Sequence, residues 1–265
     1  MKDPTQLFSD KVNHYLAYRP GYPTAMLDIL RAECSLTQDA IIADLGSGTG
    51  LLSELFLKNG NPVYGVEPNA EMRCAAESTL KAYPGFISVP ARAEATTLKD
   101  QSVDFITAGQ AYHWFELEKI KREFARILKP TGWLVVVYNL ARADTPFQIA
   151  YQKFCNLYLG GNNPGQDEAD IYSPVFGQEN YYEKRVDGVS QRFDFKGLTG
   201  RTSSRANAPD VGSRQYSEIL SSLHTLFEHH QQDGQVLISY ETEIIYGQLP
   251  NSHLSKADIF DYDSI

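Results

Sequence analysis

Residues 44–50 read "DLGSGTG", between the apolar run 40–43 and an amphipathic segment that begins at Leu51. A glycine-rich turn between a strand and a helix commonly holds a small, partly anionic ligand, and the spacing decides which one. In the dinucleotide fingerprint G-x-G-x-x-G the third glycine stands three residues after the second; here that place is Leu51. A phosphate loop needs a lysine after its last glycine, and this turn has none. What remains is an acid, Asp44, two residues ahead of the first of three alternating glycines, Gly46, Gly48 and Gly50. An acidic side chain is a poor neighbour for a pyrophosphate. It suits a cationic group such as an ammonium, and the helix N-terminus after Gly50 suits a carboxylate. A zwitterion satisfies both. A second acid, Glu67, closes "PVYGVE". At that place in a doubly wound sheet an acid accepts hydrogen bonds from ribose hydroxyls, in NAD or any other adenosine ligand. The weaker alternative is that Glu67 merely caps the next helix, with Pro68 at its first position.

These residues can act together only if strands deliver them to one edge. Between 40 and 139, short apolar runs alternate with amphipathic ones. "AIIADLG", "PVYGVE", "FISVP", "SVDFITAG" and "WLVVVYN" read as strands, the last apolar throughout, as a strand covered on both faces is. "LLSELFLKNG", "NAEMRCAAESTLKAY" and "FELEKIKREFARILKPTG" read as helices. The third puts Leu117, Ile120, Phe124, Ile127 and Leu128 on one face and stops at Lys129-Pro130-Thr131-Gly132. This alternation predicts an α/β fold, a doubly wound and mostly parallel sheet with ligands beyond the carboxyl ends of its strands. Residues 140–190 open with the helix "PFQIAYQKFCNLYL" and continue as a Gly-, Asn- and Pro-rich loop, an insertion or substrate cap. "QRFDFKG" reads as a short strand, "GRTSSRANAP" as a polar loop, whose Arg201, Ser203 and Ser204 could equally touch substrate, and "SRQYSEILSSLHTLFEHHQQDG" as a helix. "QVLISYETEIIYGQL" reads as one long strand of period two, and 251–265 as a mobile end. "NYYEKR" carries no pattern.

The 265 residues and 42% hydrophobic content fit one large globular domain, and the net charge of −9 argues against a nucleic-acid backbone as partner. Cys34, Cys74 and Cys155 are odd in number and far apart, with no metal-ligand spacing and no disulfide framework, so a cytoplasmic location is expected. No apolar run is long enough to cross a bilayer, and "MKDPTQLFSD" has no apolar signal core. The charge and hydropathy thus disfavour nucleic acid and membrane as partners, and the oligomeric state stays open.

From about residue 8 to 139 the chain resembles class I S-adenosylmethionine-dependent methyltransferases. More narrowly, it resembles the type 11 small-molecule group that includes trans-aconitate methyltransferase-like proteins. "DLGSGTG", "GVEPNAEM", "ARAEATTL", "SVDFITAGQAYHWF" and "FARILKPTGWLVVV" carry the likeness. "HYLAYRPGYP" is similar to the group's segment that folds over the cofactor, and "FDFKGLTGRTSSRANAP" with the final strand is loosely similar to its C-terminal portion. The resemblance implies a Rossmann-like, seven-stranded sheet whose last, antiparallel strand is "QVLISYETEIIYGQL". It divides a single domain, 1–265, into N-terminal lid helices (1–36), a cofactor-binding core (40–139), the insertion (140–190) and a C-terminal completion of the sheet (191–250). It implies S-adenosyl-L-methionine as cofactor, with Asp44, Gly46, Ser47 and Gly48 at its methionine end and Glu67 on the ribose. Pro68 and Met72 would pack on adenine, Ala93 and Glu94 meet its edge, Gln110 stand beside the sulfonium, and Tyr15 and Arg19 close the site. No metal is implied. Arg92, where a small residue or an acid is common, and Thr131, in place of a usual glycine, depart from the group's pattern.

Methyl transfer from a sulfonium is an in-line displacement that rests on positioning and exclusion of water. A carboxylate acceptor needs no base. A hydroxyl or amine often must lose a proton, and His113, just past the fourth strand, is the candidate base; it could instead belong to an inert packing cluster with Trp114 and Phe115. Arg19 could clamp a carboxylate or form a surface salt bridge. Two alternatives differ in class: an NAD-dependent oxidoreductase, which shares the sheet and the ribose acid, and a non-catalytic adenosylmethionine-binding protein.

Overall fold

A computed structural model describes residues 12–160, 168–177, 180–205, 207–210 and 212–250. Two helices, α1 (Val12–Tyr18) and α2 (Ala25–Cys34), precede the alternating core. That core runs β1 (Ile42–Leu45), α3 (Leu51–Asn59), β2 (Val63–Val66), α4 (Ala70–Leu80), β3 (Phe86–Val89), β4 (Val103–Gly109), α5 (Leu117–Ile127) and β5 (Leu128–Ala141). There follow α6 (Pro146–Leu159), α7 (Glu168–Phe176), β6 (Tyr181–Asp187), β7 (Gln191–Phe193), α8 (Phe195–Ser203), α9 (Arg214–His230), β8 (Val236–Ile238) and β9 (Tyr240–Gly247).

The strands β1 to β5 are parallel, and with β9 and β6 they form a seven-stranded sheet in the order β3-β2-β1-β4-β5-β9-β6. Only β9 runs against the rest, antiparallel to both β5 and β6. The order reverses between β1 and β4, so the carboxyl ends of β1 and β4 open a crevice there. One face of the sheet buries Ala43, Leu45, Ile106 and Val136 against Ile120 and Phe124 of α5 and Tyr172 and Phe176 of α7. The other buries Ile42, Val63, Phe105 and Val135 against Met26 and Leu30 of α2 and Leu52 and Phe56 of α3. Burial on both faces explains the continuous apolar strands. A third core joins α6, α8, α9 and the β7–β8 ribbon through Phe147, Tyr151, Leu198, Ile219, Leu223, Phe227 and Ile238.

Four expectations are corrected. First, of "QRFDFKG", read as a short strand, only β7 is extended, and it pairs with β8 outside the main sheet, leaving the sheet's outer edge to another segment. That place belongs to β6, in the segment expected to be loop or cap. Five of its seven residues are exposed and none is buried, and it carries Glu183, Lys184 and Arg185, as an edge strand does. Its register is held by β9 and by Arg185, which donates to Glu243 at 2.6 Å. Part of the same 140–190 segment is helix α7. Second, the long final strand breaks at Ser239, whose carbonyl accepts from Arg142 N at 2.9 Å and Gln148 Nε2 at 3.1 Å, so β8 and β9 enter different sheets. Third, much of the "polar loop" is the end of α8, capped by Asp194 Oδ1 accepting from Gly197 N at 2.7 Å, with Arg201 to Ser204 buried. Fourth, β5 begins at Leu128; the register shifts between the Val103–Leu128 and Phe105–Trp133 pairs, and the turn residues bulge out. The expected mobile end, 251–265, lies outside the described residues.

Ile106 is fully buried in β4, whereas Leu157 on α6 is 76% exposed. Ile106→Ala should cost about 2–5 kcal/mol of unfolding free energy and Leu157→Ala less than about 0.5 kcal/mol, as read by urea denaturation.

Candidate active site

Asp44 sits across from Gly65 of β2 and Thr107 of β4. Its carboxylate is 1% exposed and lies beneath the glycine turn. Ser53 Oγ of α3 donates to Asp44 Oδ2 at 2.6 Å, and Thr107 Oγ1 donates to Oδ1 at 3.1 Å. Burial raises the Asp44 pKa to about 6; the hydroxyl donors pull it back only in part, and the charge of Glu67 adds to the rise. Glu67, 9% exposed, accepts from Gly48 N at 3.0 Å and from Asn69 N at 2.8 Å. Burial raises its pKa as well. Asn69 in turn caps α4, accepting from Met72 N at 2.9 Å. The ribose-acid position and the cap are thus neighbours in one turn rather than rival uses of Glu67.

Gly48 has φ +55°, and a β-carbon there would project into space with no atom within 4 Å. Backbone without side chain therefore faces the crevice, room that a ligand pressed against the turn requires. Across from it, Gln110 has φ +57°, a left-handed conformation rare outside glycine. Its Nε2 donates to Asn139 O at 3.0 Å, and Asn139 Nδ2 donates to Gly21 O at 3.0 Å, which ties the end of β4 to β5 and to the N-terminal segment.

One cleft brings together most of the expected residues: Tyr15, Gly46, Gly48, Glu67, Pro68, Met72, Ala93, Glu94 and Gln110. Four stand off its wall. Asp44 supports the turn from below; Ser47 turns its hydroxyl toward β2, where a β-carbon on Gly65 would stand 3.2 Å from it. Arg19 lies behind Tyr15, its guanidinium 4.9 Å over that ring. His113, in a 3-10 turn (Tyr112–Trp114), has Nδ1 3.5 Å from Tyr138 Oη, and burial of its inner side lowers its pKa. The wall also includes Asn69, Arg92, Gly109, Ala111, Trp114 and Phe115, to which the sequence reading gave no ligand role. The "HWF" stretch was the available signal for Trp114 and Phe115. Ser53 and Thr107 were detectable only as hydroxyls inside apolar elements. Among the described residues no group of three His, Cys, Asp or Glu side chains is placed to hold a metal ion.

Residues 43–136 match a family described as a methyltransferase domain. An uncharacterized methyltransferase-like protein of Schizosaccharomyces pombe is 33% identical over 57% of this chain and 58% of its own length. Curated relatives of this kind are matched over little more than half their length, 55% and 58% for the two yeast proteins. A malonyl-[acyl-carrier protein] O-methyltransferase of a Marinomonas strain is 22% identical over 87% of this chain and 88% of its own. Among solved structures, one assigned as a type II methyltransferase of Anaeromyxobacter dehalogenans covers 88% of this chain and 98% of its own, with a TM-score of 0.63 and 21% identity.

The environment of Asp44 has a measurable consequence. Its folded-state pKa is about 6 against 3.8 for a free carboxyl, so the native state holds a proton that the unfolded chain has already released. The resulting penalty on folding builds between about pH 4 and 6 and is constant above that range. Asp44→Asn removes the penalty, and either hydroxyl neighbour can rotate to accept from the new amide. Relative to the wild type, the variant should therefore gain about 1–3 kcal/mol between pH 4 and pH 7 in urea denaturation. Parallel pH profiles for the two proteins would refute this account of the buried acid.

Proposed function

We propose, for a chain that carries a class I S-adenosylmethionine-dependent methyltransferase domain, that the whole protein transfers the cofactor's methyl group to an oxygen or nitrogen of a small organic molecule. The observation that carries this reading is the pair of buried acids flanking the bare backbone of Gly48. Two carboxylates with raised pKa values favour a cationic ligand and disfavour a pyrophosphate, and the nicotinamide alternative has no comparable support.

The residues present fit such a ligand. Glu67 retains lone pairs for ribose hydroxyls beside the two amides it already accepts from. Pro68 and Met72 offer apolar surface for adenine, with Ala93 and Glu94 at its edge. Gly46 and Gly48 present backbone to the methionine end, while Asp44 and Ser47 shape the turn. Gln110 and Tyr15 face the centre of the cleft. When bound, the cofactor supplies a methyl group on a sulfonium. The chain's part is to orient the acceptor in line and keep water out, which the helix α1 and Trp114 and Phe115 serve from two sides. His113 is the base for a hydroxyl or amine acceptor, since its lowered pKa keeps the imidazole neutral at pH 7. The Marinomonas relative, an O-methyltransferase by name, favours oxygen as the acceptor atom. A net charge of −9 argues for a small molecule over nucleic acid, and no helix among the described residues is long and apolar enough to cross a membrane. The free thiols Cys34, Cys74 and Cys155 support a cytoplasmic setting.

Calorimetric titration with S-adenosylmethionine, S-adenosylhomocysteine and NAD tests the reading. The first two should bind, and Gly48→Val should weaken both at least tenfold, about 1.4 kcal/mol, because its side chain fills the ligand's space. Binding of NAD alone would sink the proposal, and binding without turnover on any acceptor would leave a binding protein. For His113, the wild-type rate should fall as pH drops through a value below 6.5. His113→Gln should lose that limb and about 10²–10⁴ in kcat; a loss below tenfold would show that proton transfer does not pass through this ring.

A further inference from the structure

Behind Tyr15 lie two arginines that methyl transfer does not itself require. Arg201, on α8, is 7% exposed. Its Nε donates to Tyr240 Oη at 3.0 Å, and its Nη1 reaches Ser204 Oγ at 3.5 Å. Arg19, one residue past α1, donates from Nη2 to Ser204 O at 2.8 Å, while its buried Nε has no partner. The two guanidinium groups thus converge on one residue, Ser204. Among the described residues, neither Arg19 nor Arg201 forms an ion pair with a carboxylate.

The contrast with the surface sharpens the point. Arg126 is paired with Asp100 and Glu123, and Arg185 with Glu183 and Glu243. In a chain with nine more acids than bases, these two arginines have counter-ions, and among the described residues Arg19 and Arg201 have none. A buried cation facing a like charge is costly unless something neutralises it. Burial first, and Arg201 second, lower the Arg19 pKa to about 10. A guanidinium is nevertheless still charged at neutral pH, and its planar fork of donors matches an oxyanion bidentately.

We propose that Arg19 and Arg201 form the binding site for an oxyanion, carboxylate or phosphate, carried by the methyl acceptor, so that the acceptor is a small anionic molecule. This rests on the methyl-transfer reading for the identity of the acceptor, though not for the existence of the anion site. The geometry suits it. Tyr15 stands between the pair and the cleft, lining the one and stacking on Arg19. Tyr240 Oη, which accepts from Arg201 Nε, keeps its own proton to donate to the same anion, whereas the Ser204 hydroxyl donates to Arg201 O at 2.7 Å.

The test uses the full chain saturated with S-adenosylhomocysteine, titrated at constant ionic strength with citrate, benzoate or inorganic phosphate while thermal unfolding is followed. The wild type should show a saturable rise in Tm. A response to the carboxylates alone assigns an organic acid, and a response to phosphate assigns a phosphorylated acceptor; either supports the site. Measured at saturating S-adenosylhomocysteine, Arg19→Met and Arg201→Met should each raise the anion's half-saturating concentration at least tenfold. Without anion, Arg19→Met should be as stable as the wild type or more so, because a half-buried guanidinium with no carboxylate partner among the described residues has gone. An arginine with a purely structural role gives the opposite result. If Arg201→Met fails to fold, Arg19→Met decides alone. No saturable response in the wild type, or the same response in both variants, overturns the inference. Loss of S-adenosylhomocysteine binding in the wild type would instead overturn the methyl-transfer reading, and the anion titration repeated without it would still read the arginines.

Discussion

A carboxylate kept from water at the end of the first strand constrains everything built around it. Asp44 is tolerated there because two hydroxyls, from different elements, replace its hydration: Ser53 from α3 and Thr107 from β4. Each donor fixes a relation. The Ser53 bond ties the first turns of α3 to the strand it leaves, and the Thr107 bond ties β1 to its neighbour across the switch point. Between those two anchors the chain has little freedom, and the glycines are carried to the crevice mouth. Glu67 completes the frame from β2 by accepting the Gly48 amide. The two acids thus organise the turn before any ligand arrives. The incomplete neutralisation left on both, visible as raised pKa values, is an electrostatic asymmetry that a cationic ligand relieves.

How much of this was legible depended on whether burial and pattern agreed. The region 40–139 was readable because Ile42, Val63, Phe105 and Val135 are covered on both faces of a parallel sheet, while α5 shows a sharp apolar stripe through Ile120, Phe124 and Ile127. The acids and the glycine spacing were legible for the same reason: polar residues at the ends of apolar runs stand out. The reading failed where hydrophobicity carries no information. The strand β6 is an edge strand, with Glu183, Lys184 and Arg185 in place of apolar alternation, and its position is set by pairing with β9. At Ser239 the period of two continues unbroken through a change of sheet, because the break is made by hydrogen bonds from Arg142 and Gln148. The end of α8 looked like a loop because Arg201, Thr202, Ser203 and Ser204 are polar, yet they are buried.

The candidate site was legible in a similarly uneven way. Tyr15, Glu67, Met72 and Glu94, far apart in the sequence, line one cleft. The left-handed backbone of Gln110 left no trace in the sequence, since glutamine is not a residue that advertises a positive φ. The proximity of Arg19 to Arg201 was equally unreadable. These residues are 182 positions apart, and only the packing of α1 on α8 brings them together.

That packing has a structural cause that links the two halves of the site. Gly200 faces α1 so closely that a β-carbon would fall 2.0 Å from the Tyr18 ring, so the absence of a side chain there lets the helices approach. The helix α1 has seven residues, far fewer than an isolated helix needs in water, and its order must come from what it docks against. Tyr15 and Arg19 are one turn apart, with Arg19 N donating to Tyr15 O at 3.0 Å. A single short element therefore presents an aromatic wall to the cleft and a cation to the opposite side, next to Arg201. Whatever neutralises the arginine pair also strengthens the docking of α1, and with it the wall that Tyr15 gives the cleft. Occupancy on the acceptor side and closure on the cofactor side are in this way coupled through one turn of helix.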